Sequence, residues 1–257
     1  MDVLIFCGQS NMQGSTGEKP TEPPVSGSLE YRYLTDELKP LAHPVGEDIG
    51  DGILYGAALK NGSLVPAFCR EYAKKSGNVV AIHVARGNSR VDEWQKGTER
   101  FSVAVDKIRK GIAKAEEQGP VGKIFFIYLQ GESDALNRTG TDRYCELLLR
   151  LKKDLLKEIR IDGFFLIRVG YFSRYASWMT APEKEKKKDD EAIMRAQEKL
   201  VRAGEFRMLT RMLKKYSKMP EKLNPKEFGP HYNNEAMIEI GTAAGKKLSV
   251  YKRRYHV

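Results

Sequence analysis

Short, nearly apolar runs alternate along this chain with longer stretches whose apolar residues recur every three or four positions. The first kind predicts strands over Val3–Cys7, Val79–Val84, Ile124–Leu129 and Phe164–Val169, with a weaker one over Phe206–Leu209. Each is apolar at almost every position, as a strand covered on both faces must be. The second kind predicts helices. Ser63–Ser76 opens on a serine cap and stops at Gly77, Arg100–Gln118 stops at Gly119-Pro120, and Thr141–Ile159 carries the stripe Tyr144, Leu147, Leu148, Leu151 and Leu155. Asp189–Ala203 ends at Gly204, and Asn233–Leu248 follows the last loop. Strand alternating with helix implies a parallel sheet packed between helices, an α/β architecture. No internal repeat and no Pro/Ser-rich linker divides the pattern, so residues 1–257 are expected to form one domain. Two segments, Ser15–Gly62 and Phe172–Lys188, carry no periodicity. Loops that long in a compact fold usually serve a site.

Composition narrows the class. At 257 residues the chain buries roughly three quarters of its unfolded surface. It is 41% hydrophobic and 30% charged, which is neither a disordered nor a fibrous composition. Its longest apolar runs, such as IFFIYL, are far too short to span a membrane, and MDVLIF has no basic region or cleavage site of a secretory signal. Cys7, Cys69 and Cys145 are an odd, widely spaced set without a CxxC pair, which predicts reduced, buried thiols and a cytoplasmic location.

The chain carries 44 Lys and Arg against 34 Asp and Glu, a net charge of +10. Nucleic acid is the obvious partner for that charge. Its distribution argues against one: bases are interleaved with acids, as in EKEKKKDDE, and the only pure basic cluster is the tail YKRR. Such interleaving describes solvated helix faces, so the charge reads as a surface property.

Candidate chemistry collects where the strands end. In an open parallel sheet, ligands bind at the carboxyl ends of the strands. There the chain places Gly8-Gln9-Ser10-Asn11-Met12, Ala85-Arg86-Gly87-Asn88-Ser89 and Gln130-Gly131-Glu132-Ser133-Asp134. A serine at such an edge needs a base. His83 lies inside the apolar run AIHVA, His43 in a Pro-bounded loop and His256 in the basic tail. His231, in GPHYNN before the final helix, is the histidine placed to reach a strand edge. Ser10 and His231 are therefore the expected catalytic pair. Asp134 is expected to anchor the Ser10 turn; Met12 and Trp94 read as packing residues, and Tyr31 and Tyr33 as candidate sugar-stacking rings. No His/Cys/Asp grouping has metal-ligand spacing and no phosphate loop is present, so neither metal nor cofactor is expected.

GQSNM, RGNSRVDEW, QGESD and PHYNN, in this order, resemble the SGNH-hydrolase superfamily, within it the sialate O-acetylesterase and acetylxylan-esterase branch of carbohydrate esterases. The similarity runs from residue 3 to about residue 248, and Arg195-Ala196-Gln197 matches that branch's usual helix start. The resemblance implies a three-layer α/β/α sandwich around a central, mostly parallel sheet, flavodoxin-like in outline. It also implies metal-independent removal of O-acetyl groups from a small carbohydrate, of acetylated xylo-oligosaccharide or O-acetylated sialic acid type. Ser10 would then attack the ester carbonyl, with His231 as general base and acid. The backbone N–H groups of Ser10 and Gly87, with the side chain of Gln130 or Asn88, would hold the oxyanion.

Two positions depart from the family pattern. Asn88 stands where a second glycine is usual; asparagine tolerates positive φ better than most residues. Phe228 stands where the acid, normally an Asp three residues before the histidine, is expected. Glu132 of QGES is the preferred substitute, ahead of Glu227, and a serine–histidine dyad without an acid is the third arrangement. A catalytically weak glycan-binding protein on an esterase scaffold is the competing functional reading.

Overall fold

The apolar runs form the middle of a seven-stranded sheet. The computed structural model describes residues 1–57, 61–173, 180–224 and 231–255. In chain order the elements are β1 (Asp2–Gly8), α1 (Ser10–Gln13), β2 (Leu29–Arg32), β3 (Glu37–Pro40), α2 (Val65–Ser76), β4 (Val79–Ala85), α3 (Glu99–Glu117), β5 (Ile124–Leu129), α4 (Glu132–Leu136) and α5 (Thr141–Glu158). Then follow β6 (Gly163–Ile167), α6 (Glu183–Arg202), β7 (Arg207–Thr210), α7 (Met212–Tyr216) and α8 (Asn234–Tyr255). The strand order is β3-β2-β4-β1-β5-β6-β7. All neighbours are parallel except β2 and β3, which pair as an antiparallel hairpin at one edge.

Period-two alternation sorts the strand side chains into two layers. Phe6, Ile127 and Phe165 are cross-strand neighbours on one face, where Phe6 meets Phe68 of α2 edge-on and Phe165 meets Tyr251 of α8. Ile5, Phe126 and Phe164 share the other face, beneath α3 and α5. Gly111 of α3 packs against Ile82 there, with no room for a Cβ. The result is the expected α/β/α sandwich. Among the described residues no helix is long and apolar enough to cross a membrane.

The hairpin β2–β3 lies within the segment the hydrophobic pattern left unassigned. β3, ELKP, is the edge strand and is largely exposed, whereas β2, LEYR, lies between β3 and β4 and breaks the apolar pattern with the buried Glu30, which pairs with Arg32 at 2.8 Å. α6 starts six residues earlier than the periodicity predicts, directly after Pro182, on the exposed Glu183, Lys184 and Glu185. Arg195-Ala196-Gln197 therefore lies inside this helix rather than at a helix start.

β1 delivers the site, and Gly8 at its end makes that delivery possible. A Cβ there would stand 2.0 Å from the Leu129 carbonyl oxygen and 2.9 Å from Cβ of Met12. The same carbonyl accepts the Gln9 N–H at 3.1 Å. Gly8→Ala is expected to force β1 off β5 and cost about 3 kcal/mol or more, read as a lower urea midpoint with unchanged slope. An unshifted midpoint would show that the strand end yields freely.

Candidate active site

The chain after β1 turns at once into α1, so Ser10 occupies the first helical position. There its N–H has no partner within the helix. Its side chain is nearly buried, and its Oγ lies 2.9 Å from Nε2 of His231. In the tautomer with the proton on Nδ1, Nε2 accepts the serine hydroxyl's proton.

His231 is held by its neighbours in the sequence. Asn233 caps α8 by accepting the Ala236 N–H at 2.9 Å. Tyr232 is buried and donates its hydroxyl to the Leu213 carbonyl at 2.9 Å. The His231 carbonyl accepts the Asn224 N–H at 2.7 Å, and Phe172 packs edge-on against the imidazole with ring centroids 5.6 Å apart. His231, Tyr232 and Asn233 thus follow one another as the residue facing Ser10, its anchor and the cap of α8.

Ser10 and His231 open into a hollow of about 390 Å³, lined also by Gln13, Tyr55, Arg86, Gly87, Asn88 and Phe172. Asn88 takes φ +56°, so the turn after β4 keeps the left-handed residue that glycine usually supplies. The Gly87 N–H donates to Gln13 Oε1 at 2.7 Å, while Gln13 Nε2 donates to the Gly56 carbonyl at 3.0 Å. A substrate carbonyl reaching Gly87 would exchange with the Gln13 amide. Gln13 follows Ser10 by three residues, on the same helix face.

Gln130 is a correction to the expected oxyanion donors. It is fully buried and does not line the hollow. Its Nε2 donates to the Ser89 carbonyl at 2.9 Å and to Asp134 Oδ2 at 2.5 Å. Its carbonyl accepts from Tyr144 at 2.8 Å and from Gln197 at 2.9 Å. These bonds tie the turns after β4 and β5 to α5 and α6, which makes Gln130 a structural hub. Asp134 also differs from expectation: it accepts from Val91 N–H at 2.9 Å and from Thr139 Oγ at 2.8 Å, so it anchors the turn after β4. The Ser10 turn is anchored instead by Gln9, whose Oε1 accepts from the N–H groups of Gly131 and Ser133 at 3.3 and 3.1 Å.

Glu132 is buried at the first position of α4, and its Oε1 accepts from Asn11 Nδ2 at 2.7 Å. Its Oε2 has no hydrogen-bond partner among the described residues. Burial pushes its pKa above the ordinary carboxylate value, while the Asn11 bond and the field of His231 pull it back. Glu227 and Phe228 lie outside the described residues, as does His256.

His83 sits buried in β4 with Nε2 3.1 Å from the Met12 carbonyl, and burial drops its pKa to about 3. His43 is paired with Glu22 at 3.2 Å, outside the hollow. Tyr31 and Tyr33 do not line it either: their hydroxyls donate to Asp36 at 2.8 Å and to Asp106 at 2.6 Å. The rings at the hollow are Tyr55 and Phe172, which come from segments without periodicity and carried no sequence signal. Arg86 stacks on Tyr55, its guanidinium carbon 4.2 Å from the ring centroid. Trp94 is buried and donates to Ser89 Oγ at 3.0 Å, a packing residue as expected.

The family model described as carbohydrate esterase, sialic acid-specific acetylesterase matches residues 1–248. No curated protein matches the chain in sequence. Among solved structures, one from Arabidopsis thaliana is similar at 17% identity and a TM-score of 0.68, over 97% of this chain and 98% of that one. A carbohydrate acetylesterase from Xanthomonas citri aligns at 14% identity and TM-score 0.57, over 100% of this chain and 57% of the other. A lipase/acylhydrolase from Enterococcus faecalis aligns at 14% and TM-score 0.51, over 97% and 96%. At these identities the structures establish a shared fold.

Proposed function

Because the chain belongs to the sialic acid-specific acetylesterase family of carbohydrate esterases, we propose that it removes O-acetyl groups from a carbohydrate by a serine mechanism. The substrate is of acetylated xylo-oligosaccharide or O-acetylated sialic acid type. The observation that supports this reading most is the 2.9 Å contact between Ser10 Oγ and His231 Nε2 at the floor of an open hollow.

Ser10 Oγ attacks the acetyl carbonyl as His231 takes its proton. Negative charge develops on the carbonyl oxygen, which the N–H groups of Ser10 and Gly87 receive as it displaces Gln13 Oε1, with the Asn88 amide at the rim. His231 then protonates the departing sugar oxygen, which leaves as a free hydroxyl, and water attacks the acetyl-serine by the reverse path to release acetate. Glu132 is the acid that stabilises the imidazolium from its buried position. This reading predicts covalent capture. A fluorophosphonate ester should add one phosphonyl group at Ser10 and abolish release of acetate from an acetylated xylo-oligosaccharide in the same proportion. Labelling elsewhere, or acetate release that survives stoichiometric labelling, would sink it.

A further inference from the structure

The excess positive charge is concentrated beside the catalytic hollow. Beyond β5, the carboxyl ends of β6 and β7 lead into Arg168 and Arg211, and the short helix α7 follows. Arg168, Arg211, Lys214, Lys215 and Lys218 line a hollow of about 480 Å³ there. A second hollow shares Arg168 and Lys214 with it and adds Arg195 and Arg202 from α6. Among the described residues two carboxylates, Glu191 and Glu198, line this surface. Seven cations against two acids leave an excess of five, half the net charge of the chain.

The cations are built in rather than loosely scattered. Glu198 receives both Arg168 and Arg211 at 2.6 Å, which holds its pKa near 2 and spends one carboxylate on two guanidinium groups. Lys214 and Lys218 stand over the ring of the buried Tyr171, their Nζ atoms 5.4 and 5.3 Å from its centroid. Neither forms an ion pair among the described residues. Tyr171 is followed directly by Phe172, which lines the catalytic hollow and packs on His231. At about 4.8 Å per strand, the shelf begins about 10 Å from the end of β1 and extends past about 14 Å, along the same sheet edge.

Resting on the esterase reading above, we propose that this shelf binds the acidic units of a polyanionic glycan chain while an acetyl ester on the same chain lies at Ser10. A single carboxylate does not match this excess of cations; a run of carboxylates or sulfates does, and electrostatic complementarity would also steer its approach. Continuity with the hollow that holds Ser10 favours a glycan over nucleic acid.

Binding to Ser10→Ala protein, measured by calorimetry at low salt, separates this proposal from the esterase reading, since it needs no turnover. A heparin hexasaccharide should bind and neutral xylohexaose should not. Lys214→Ala/Lys218→Ala should weaken the heparin fragment about tenfold, as the loss of two surface charge contacts implies. Lys75→Ala/Lys153→Ala, which removes equal charge from exposed positions on α2 and α5, should change it less than about twofold. Equal losses in the two double variants would reduce the shelf to the general field of a basic protein. Tighter binding of a short single-stranded DNA than of the hexasaccharide would assign the shelf to nucleic acid instead, and either result overturns the proposal.

Discussion

Ser10→Ala is expected to lower kcat on an aryl acetate by at least about 10⁴-fold. The whole loss should appear in the chemical step. Among the described residues Ser10 Oγ has one hydrogen bond, at 2.9 Å to His231 Nε2, and none that holds the fold together. The turn around it is secured by others: Gln9 reaches the start of α4, and Asn11 reaches Glu132. Alanine suits the first position of a short helix. The variant should therefore show an unchanged circular dichroism spectrum and unfolding midpoint. The remaining activity measures what the donors around Gly87 and the hollow's shape achieve without a nucleophile. A residual rate within about tenfold of the wild type would remove the serine mechanism and restore the reading of a glycan-binding protein on an esterase scaffold.

Legibility in the sequence followed burial. β1, β4, β5 and β6 stand within about two residues of where the apolar runs place them, because strands covered on both faces are apolar at nearly every position. β2 and β3 carried no such signal: the exposed edge strand ELKP and the strand LEYR with its buried Glu30 are read equally well as loop. The site behaved in the same way. The glycine-bearing turns place Ser10, Gly87 and Glu132 at one sheet edge, which follows from topology alone. Which way each polar side chain turns does not follow from topology. Gln130 and Asp134 are drawn inward by Ser89 and Val91, partners far off in the chain whose backbone needs hydrogen bonds once buried. Gln9 and Gln13, flanking the serine, take the roles of anchor and of occupant of the Gly87 N–H. The charge shows the same limit. Interleaved along the chain, the bases look evenly solvated, yet Arg168, Arg195 and Arg211 come from three elements and meet on one shelf.

Glu132→Gln is expected to lower kcat by about 10³- to 10⁴-fold while leaving the protein as stable as before or more so at neutral pH. The carboxylate is isosteric with the amide, and the Asn11 bond to Oε1 survives the change. What disappears is a buried charge whose Oε2 has no hydrogen-bond partner among the described residues. Its folded pKa is raised, chiefly by burial. Ionised Glu132 therefore costs folding free energy. The stability advantage of the protonated form is complete below the unfolded pKa and is lost as pH rises through the folded value. The amide removes that cost above the folded value. Catalysis runs the opposite way under the proposed mechanism, in which only the carboxylate stabilises the imidazolium that forms on His231. In the wild type, kcat should therefore fall as pH drops through the raised Glu132 pKa, and that limb should be absent from the residual activity of the variant. Such a split separates the acid from a mere packing residue, whose loss would lower stability and activity together. Near-wild-type kcat in Glu132→Gln, with the loss found in Glu227→Gln, would move the acid to the loop before His231.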